Sequence, residues 1–327
     1  MSHAPLSHIY VTHKLPGERI AELGQHCDMA CWPGPGLLPR ATLRSEVAAA
    51  EGLVCLLTDR IDATLIDAAP RLRFVSSVSV GLDHVDLAAA TARGIPVGHT
   101  PGVLVDATAD TAFALLLATA RRVAEADAYV RGGHWRPENA WSPDFFLGRD
   151  LAGATLGLVG LGAIGQAVAR RAAAFGMRVV GWNRSPRDVP GVEPLSLEAV
   201  LSASNFVSVH VALTAETRGL LDAERLAQLR RGAILINTAR GGIVDEVALA
   251  EALASGRLGG AGLDVYEREP LPADSPLLSA PNTVLTPHIG SATALTRQRM
   301  ADLAAANALA ALRGERMPHC ANPEVYG

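Results

Sequence analysis

Three ionisable residues, Arg240, Glu269 and His288, each stand just past an apolar, strand-like run. Glu269 lies 29 residues after Arg240, and His288 lies 19 residues after Glu269. In a doubly wound parallel sheet the carboxyl ends of the strands line one crevice, so groups this far apart in sequence can converge. Converged, they suit one reaction, the reduction of a 2-oxo acid by hydride. That reaction needs a cation to hold the carboxylate and polarise the carbonyl, a proton donor for the developing alkoxide, and a carboxylate that keeps the donor protonated. Arg240, His288 and Glu269 fit those roles in that order. Spacing alone leaves a structural reading open for each. A histidine after a strand is commonly structural, as His84, His99 and His210 could be, and Glu267 with Arg268 could be a solvated face.

The hydride would come from a dinucleotide, and the stretch Ala154 to Ser185 is patterned to hold one. Residues 155–159 read as a buried strand running into Gly160-Leu161-Gly162-Ala163-Ile164-Gly165. Apolar residues then recur at helical spacing (Ile164, Val168, Ala172, Phe175) up to Gly176, a C-cap signal, and residues 177–182 read as a second strand. In such a unit Gly160 permits the tight turn, Gly162 lets the backbone approach a pyrophosphate, and Gly165 lets helix and strand pack closely. The phosphates then lie at the helix N-terminus. About 20 residues on, where an acid would accept from the ribose hydroxyls, the strand ends in Asn183-Arg184-Ser185. Without a carboxylate there is no repulsion of a 2′-phosphate; Arg184 can pair with it while Asn183 and Ser185 hydrogen-bond. NADP(H) is therefore favoured, with NAD(H) as the alternative.

The elements that must position these groups follow a βα alternation. Residues 9–12, 53–58 and 72–78 read as strands separated by helices at 18–23 and after Asp62. Residues up to about 100 therefore form an α/β domain with a parallel sheet but no dinucleotide fingerprint. After the third strand, Val80-Gly81-Leu82-Asp83-His84 is either an ordinary turn or a loop whose amides face a small anion. Residues 103–130 read as one long helix crossing into a second domain. The segment that follows carries Trp135 and Trp141, two of the four tryptophans, which suit an interface or a satellite core about equally. Beyond Ser185 the alternation resumes, with strands at 206–211, 233–237, 260–265 and 283–286, and a helix from about Ala292 to Leu312 packs back on the first domain. The expected domains are 1–102 with 289–327, for substrate, and 103–288, for the dinucleotide.

At 327 residues, with 49% hydrophobic and 19% charged residues, two packed domains are expected. A net charge of −4 gives no footprint for nucleic acid or an anionic membrane, so the partner should be a small molecule. Cys27, Cys31, Cys55 and Cys320 lack zinc-ligand spacing and read as reduced thiols of a cytoplasmic protein. The N-terminal residues carry no secretory pattern, and the longest charge-free apolar run, Thr111 to Ala120, is too short to span a bilayer.

The segments Gly157 to Gly165, Asn237-Thr238-Ala239-Arg240-Gly241, Gly262 to Pro270 and Leu285 to Ser291 resemble, in order and spacing, the D-isomer-specific 2-hydroxyacid dehydrogenase family. Gly98 to Ala109 and the paired tryptophans are most similar to its glyoxylate/hydroxypyruvate reductase branch. The resemblance covers nearly the whole chain and implies two Rossmann-like or flavodoxin-like domains with parallel sheets and an active site in the cleft between them. It implies Arg240 as the substrate-binding cation, His288 as the acid/base and Glu269 as its partner. The amides of Val80 and Gly81 would hold the substrate carboxylate, and Trp141 would reach the other subunit's site in a homodimer. Thr108, the Gly160 to Gly165 loop, Asn183 to Ser185, Val211, Thr217, Thr238, Ala239, Arg240, Asp264, His288 and Gly290 would line the cofactor. The departure is Asn183, where many members carry Asp. Alternatives are another D-2-hydroxyacid or phosphite dehydrogenase, or a cofactor-sensing binding protein of the corepressor type.

Overall fold

The computed structural model describes residues 6–327, and the chain divides into two units, Met1–Leu104 with Ala292–Gly327, and Val105–Ser291. In the first unit, β1 (His8–Val11), β2 (Asp28–Cys31), β3 (Gly52–Cys55), β4 (Phe74–Ser77) and β5 (Val97–Gly98) form a parallel sheet in the order β2-β1-β3-β4-β5. Helices α1 (Glu18–His26), α2 (Arg40–Ala49), α3 (Ala63–Asp67) and α4 (Leu87–Ala92) connect the strands. β3 and β4 are buried along their whole length, which is why their sequences carry no polar alternation. Asp62 and Asp86 start α3 and α4 by accepting from the amides of Leu65 and Ala89, each at 3.0 Å. The sequence reading left out β2 and α2, whose residues have no strong period; β2 is half-exposed at the sheet edge.

The second unit begins with α5 (Val105–Ala120) and α6 (Val123–Arg131). These correct the single helix read over 103–130: Arg122 adopts a left-handed φ of 54° and breaks it. No glycine or proline marks that break. One tertiary contact and one local pair hold it: the Arg122 guanidinium lies 4.9 Å from the Phe146 ring and pairs with Glu125, three residues on, at 2.6 Å. Seven parallel strands follow: β6 (Thr155–Val159), β7 (Arg178–Trp182), β8 (Glu193–Pro194), β9 (Phe206–Val209), β10 (Ile234–Asn237), β11 (Gly260–Leu263) and β12 (Thr283–Leu285). Their order is β12-β11-β10-β9-β6-β7-β8. Helices α7 (Ala163–Ala174), α8 (Leu197–Ala203), α9 (Ala223–Gln228) and α10 (Glu246–Ala254) complete the alternation. Strand order reverses between β6 and β9, the switch point at which such sheets open a crevice for ligands.

The last helix, α11 (Ala294–Leu312), belongs to the first unit. The Ser76 hydroxyl donates to the Ala304 carbonyl at 2.8 Å, and Asn307 donates to the carbonyl of His99 and accepts from the amide of His319, each at 3.0 Å. Among the described residues no helix is long and apolar enough to cross a membrane.

Candidate active site

The phosphate loop leaves β6 at the switch point. Gly160 takes a φ of +108°, and a Cβ there would lie 2.7 Å from the His210 carbonyl, so both conformation and space require glycine. A Cβ on Gly165 would meet the Gly160 carbonyl oxygen at 2.2 Å, which presses the first turn of α7 onto the loop. Gly162, by contrast, opens on free space. No internal contact demands glycine there, as expected where a ligand's phosphates must approach the backbone. Gly162 is the N-cap of α7 with no side-chain cap, so the amides of Ala163 and Ile164 begin the helix with their donors unsatisfied by any cap.

Asn183 closes this loop from the end of β7. Its Oδ1 accepts from the Leu161 amide at 3.1 Å while its Nδ2 donates to the Ser185 carbonyl at 2.7 Å. The Leu161 carbonyl in turn accepts from Gln166 at 2.9 Å and Arg187 at 3.2 Å. Arg184 pairs with Glu216 at 3.2 Å, the two side chains being 68% and 67% exposed. Across the switch point, His210 lies 2.9 Å from the Ser208 hydroxyl, and burial pushes its imidazole down to about 4. It is neutral near pH 7, so stabilisation of an anion beside Gly160 falls to backbone amides.

Arg240 follows β10 through a turn built by Asn237, whose Oδ1 accepts from the Ala239 amide at 3.0 Å and whose Nδ2 donates to the Arg240 carbonyl at 2.9 Å. A Cβ on Gly241 would lie 1.8 Å from the Tyr266 carbonyl carbon. That closeness sets the Arg240 turn directly against the segment after β11. There the Tyr266 amide donates to Glu269 Oε1 at 2.9 Å, leaving Oε2 for His288 Nδ1 at 2.7 Å. The side chains of His288 and Glu269 are 21% and 26% exposed. Burial acts to raise the Glu269 carboxyl, but the His288 hydrogen bond and charge, the Tyr266 amide and the charge of Arg240 outweigh it and hold the group below its ordinary value. His288 has a left-handed φ of 54°, a strained conformation of the kind that clusters at functional sites.

Asp264 enforces that strain. Its Oδ1 accepts from the Ile289 amide at 2.7 Å and the Thr286 hydroxyl at 2.6 Å, and its Oδ2 from the Gly290 amide at 2.7 Å. A Cβ on Gly290 would be 3.1 Å from Asp264 and 3.4 Å from Thr108, so these three expected residues are contiguous. Thr238 is buried with a hydroxyl that makes no hydrogen bond among the described residues. An orphaned hydroxyl, an open glycine and an uncapped helix start together fit a nucleotide. Thr217 is occupied structurally: its hydroxyl donates to the Ala212 carbonyl at 2.6 Å, and Val211 packs into the core.

Val80 and Gly81, half-buried, lie in the first unit in the loop after β4. Trp135 and Trp141 are 57% and 79% exposed, which removes the satellite-core reading. The sequence reading did not find Asn237 and Tyr266 as supports of Arg240 and Glu269, nor the His210–Ser208 pair. The only signal was their place at or near strand ends: Asn237 closes β10, Ser208 lies in β9, and His210 and Tyr266 stand just past β9 and β11. The four cysteines are free, and no metal-binding cluster of His, Cys, Asp and Glu occurs among the described residues.

The model of the D-isomer specific 2-hydroxyacid dehydrogenase NAD-binding domain matches residues 113–290. A glyoxylate reductase of Korarchaeum cryptofilum is 47% identical over 97% of this chain and 96% of its own. One of Thermococcus kodakarensis is 48% identical with the same coverage. Among solved structures, an NADPH-dependent glyoxylate/hydroxypyruvate reductase of Sinorhizobium meliloti in complex with NADP and malonate is 35% identical, with a TM-score of 0.85 and 97% of each chain covered.

Proposed function

The chain belongs to the D-isomer-specific 2-hydroxyacid dehydrogenase family, a group of NAD(P)-dependent enzymes, and we propose that it is a glyoxylate/hydroxypyruvate reductase that prefers NADPH. Reduction of a 2-oxo acid is favoured by the relatives' own activities over phosphite oxidation or a corepressor-type sensor. The observation that carries the residue assignment is the 2.7 Å contact between His288 Nδ1 and Glu269, with Arg240 electrostatically coupled to the same carboxylate. Arg240 binds the substrate carboxylate and polarises the C2 carbonyl. When bound, the reduced nicotinamide supplies the hydride to C2. His288 is held by Glu269 through Nδ1, so its proton leaves from Nε2 to the carbonyl oxygen, giving glycolate or D-glycerate. Glu269 stays ionised throughout and stabilises the imidazolium between turnovers.

Thr108, the Gly160–Gly165 loop with Leu161, Ala163 and Ile164, Asn183, Arg184, Ser185, Thr238, Ala239, Asp264 and Gly290 are assigned to the cofactor, and Val211 and Thr217, whose side chains are engaged within the protein, are assigned to the wall of its site and not to a side-chain hydrogen bond. Val80 and Gly81 are assigned to the substrate carboxylate through their amides. The NADPH preference rests on Asn183, which carries no charge to repel a 2′-phosphate, and on the exposed Arg184, for which the phosphate competes with Glu216. A cytoplasmic homodimer in which Trp141 reaches the partner's site is part of the same reading, supported by the exposure of Trp141 and by the free thiols. A steady-state panel of glyoxylate, hydroxypyruvate, pyruvate and phenylpyruvate with both cofactors is the test, with sedimentation run alongside. We expect the first two acids to lead and NADPH to exceed NADH by roughly tenfold in kcat/KM, the worth of one charge-assisted hydrogen bond. A clear NADH preference, or a purely monomeric chain, would remove the corresponding part.

A further inference from the structure

Beneath the Val80–Gly81 loop lies a buried polar chain for which the reaction itself gives no role. The Ser79 hydroxyl donates to the Gly81 carbonyl at 2.8 Å, Ser77 Oγ lies 2.7 Å from Ser79 Oγ, and His84 Nε2 lies 2.9 Å from Ser77 Oγ. Ser77 and Ser79 are both buried. A hydroxyl has one proton to give. Because Ser79 spends its proton on a carbonyl, which can only accept, Ser77 must donate to Ser79. Because Ser77 spends its proton there, His84 must donate from Nε2. The direction of every bond is thereby fixed: His84 to Ser77 to Ser79 to Gly81.

The neighbouring carbonyls are tied as well. That of Ser79 accepts from the Thr100 amide at 2.8 Å, and that of Val80 lies 3.3 Å from His99 Nδ1. Three successive carbonyls, of Ser79, Val80 and Gly81, therefore each have a donor. In a trans peptide the N–H points opposite to the C=O, so the amides of Val80, Gly81 and Leu82 are each turned away from the group that holds the adjoining carbonyl. Among the described residues those three amides have no hydrogen-bond acceptor. Consecutive free donors on a half-buried loop make an anion-binding concavity.

We propose that His84, Ser77 and Ser79 are positioning residues, a one-directional relay that locks the Val80–Gly81 peptides with their amides presented to the substrate carboxylate. The proposal rests on the reading that those amides take the carboxylate. None of the three side chains touches substrate. Each acts through the Gly81 carbonyl, so its loss weakens substrate binding and leaves the hydride and proton steps alone.

The test pairs kinetics with hydrogen exchange. Ser79→Ala should raise the KM for glyoxylate roughly tenfold, the effect of leaving one buried carbonyl without its donor, with kcat and the NADPH dissociation constant unchanged. Ser79→Thr, which keeps the hydroxyl, should restore KM, a rescue that a general packing defect would not give. Ser77→Ala leaves Ser79 its hydroxyl and its carbonyl acceptor but removes the donor behind it, and should move KM in the same direction by less. In the intact protein with NADP and oxamate, a non-reducible 2-oxo acid analogue, exchange at the amides of Val80 to Leu82 should slow, and should slow less in Ser79→Ala. Protection in the wild type with an unchanged KM in both alanine variants would overturn the relay alone. No protection of these amides in the wild type would overturn the carboxylate reading and the relay with it.

Discussion

The pairing of His288 with Glu269 fixes the sign of the pH dependence. Glu269 is held below its ordinary value by the imidazole, the Tyr266 amide and Arg240 despite its burial. Its ionised form therefore favours the folded site at any pH above the ordinary carboxylate range, and that contribution is lost only as pH falls through the lowered value. In the proposed reaction His288 must carry the proton and Glu269 must be ionised to hold it. Glu269→Gln removes the titrating carboxylate, so its kcat/KM for glyoxylate should lie below the wild type's near neutral pH and should lack the fall at low pH that protonation of Glu269 gives the wild type. Coincident acid limbs in the two proteins would dissociate Glu269 from the proton donor. Arg240, Glu269 and His288 were legible because each stands within one short loop of a strand end. Asn237, Tyr266 and Asp264 were not legible as supports, because their work is done by short side-chain-to-backbone bonds whose partners lie up to 26 residues away.

At the scale of elements, legibility followed burial. β6, β9 and β10 are buried throughout, and an apolar run bounded by turn residues identified each of them. β2, half-exposed at an edge, and α2, whose buried residues are only Leu43 and Val47, gave too little pattern. The break at Arg122 was invisible for another reason: left-handed backbone at an arginine is a tertiary outcome that no local propensity encodes. The β6–α7 junction is the reverse case, because each glycine answers a local demand. Gly165→Ala should therefore act through the element rather than the chemistry. A Cβ 2.2 Å from the Gly160 carbonyl must push α7 away from its loop, at a cost of about 1–3 kcal/mol. Denaturant unfolding should register that loss, and NADPH titration should register weaker binding. If both were unchanged, the close approach would not matter to the cofactor loop.

For the whole molecule, composition and charge excluded more than they specified. A net charge of −4 argued against a polyanionic partner, and the βα alternation required parallel sheets, which each unit contains. What composition could not supply is how the 5-stranded and the 7-stranded sheet are ordered, since strand order depends on crossovers that leave no mark in the residues they connect. The proposed chemistry hangs on the second sheet, whose strands β10, β11 and β12 precede Arg240, Glu269 and His288 and lie together at one edge. In the proposed mechanism this set reduces a 2-oxo acid with His288 as the proton donor. The most direct measurement is glyoxylate-dependent oxidation of NADPH by the wild type and by His288→Ala, with NADPH affinity measured on both. We expect kcat/KM to fall by at least roughly 10²–10⁴-fold, the range typical of a lost general acid, with cofactor binding retained. Near-wild-type turnover in His288→Ala would contradict it.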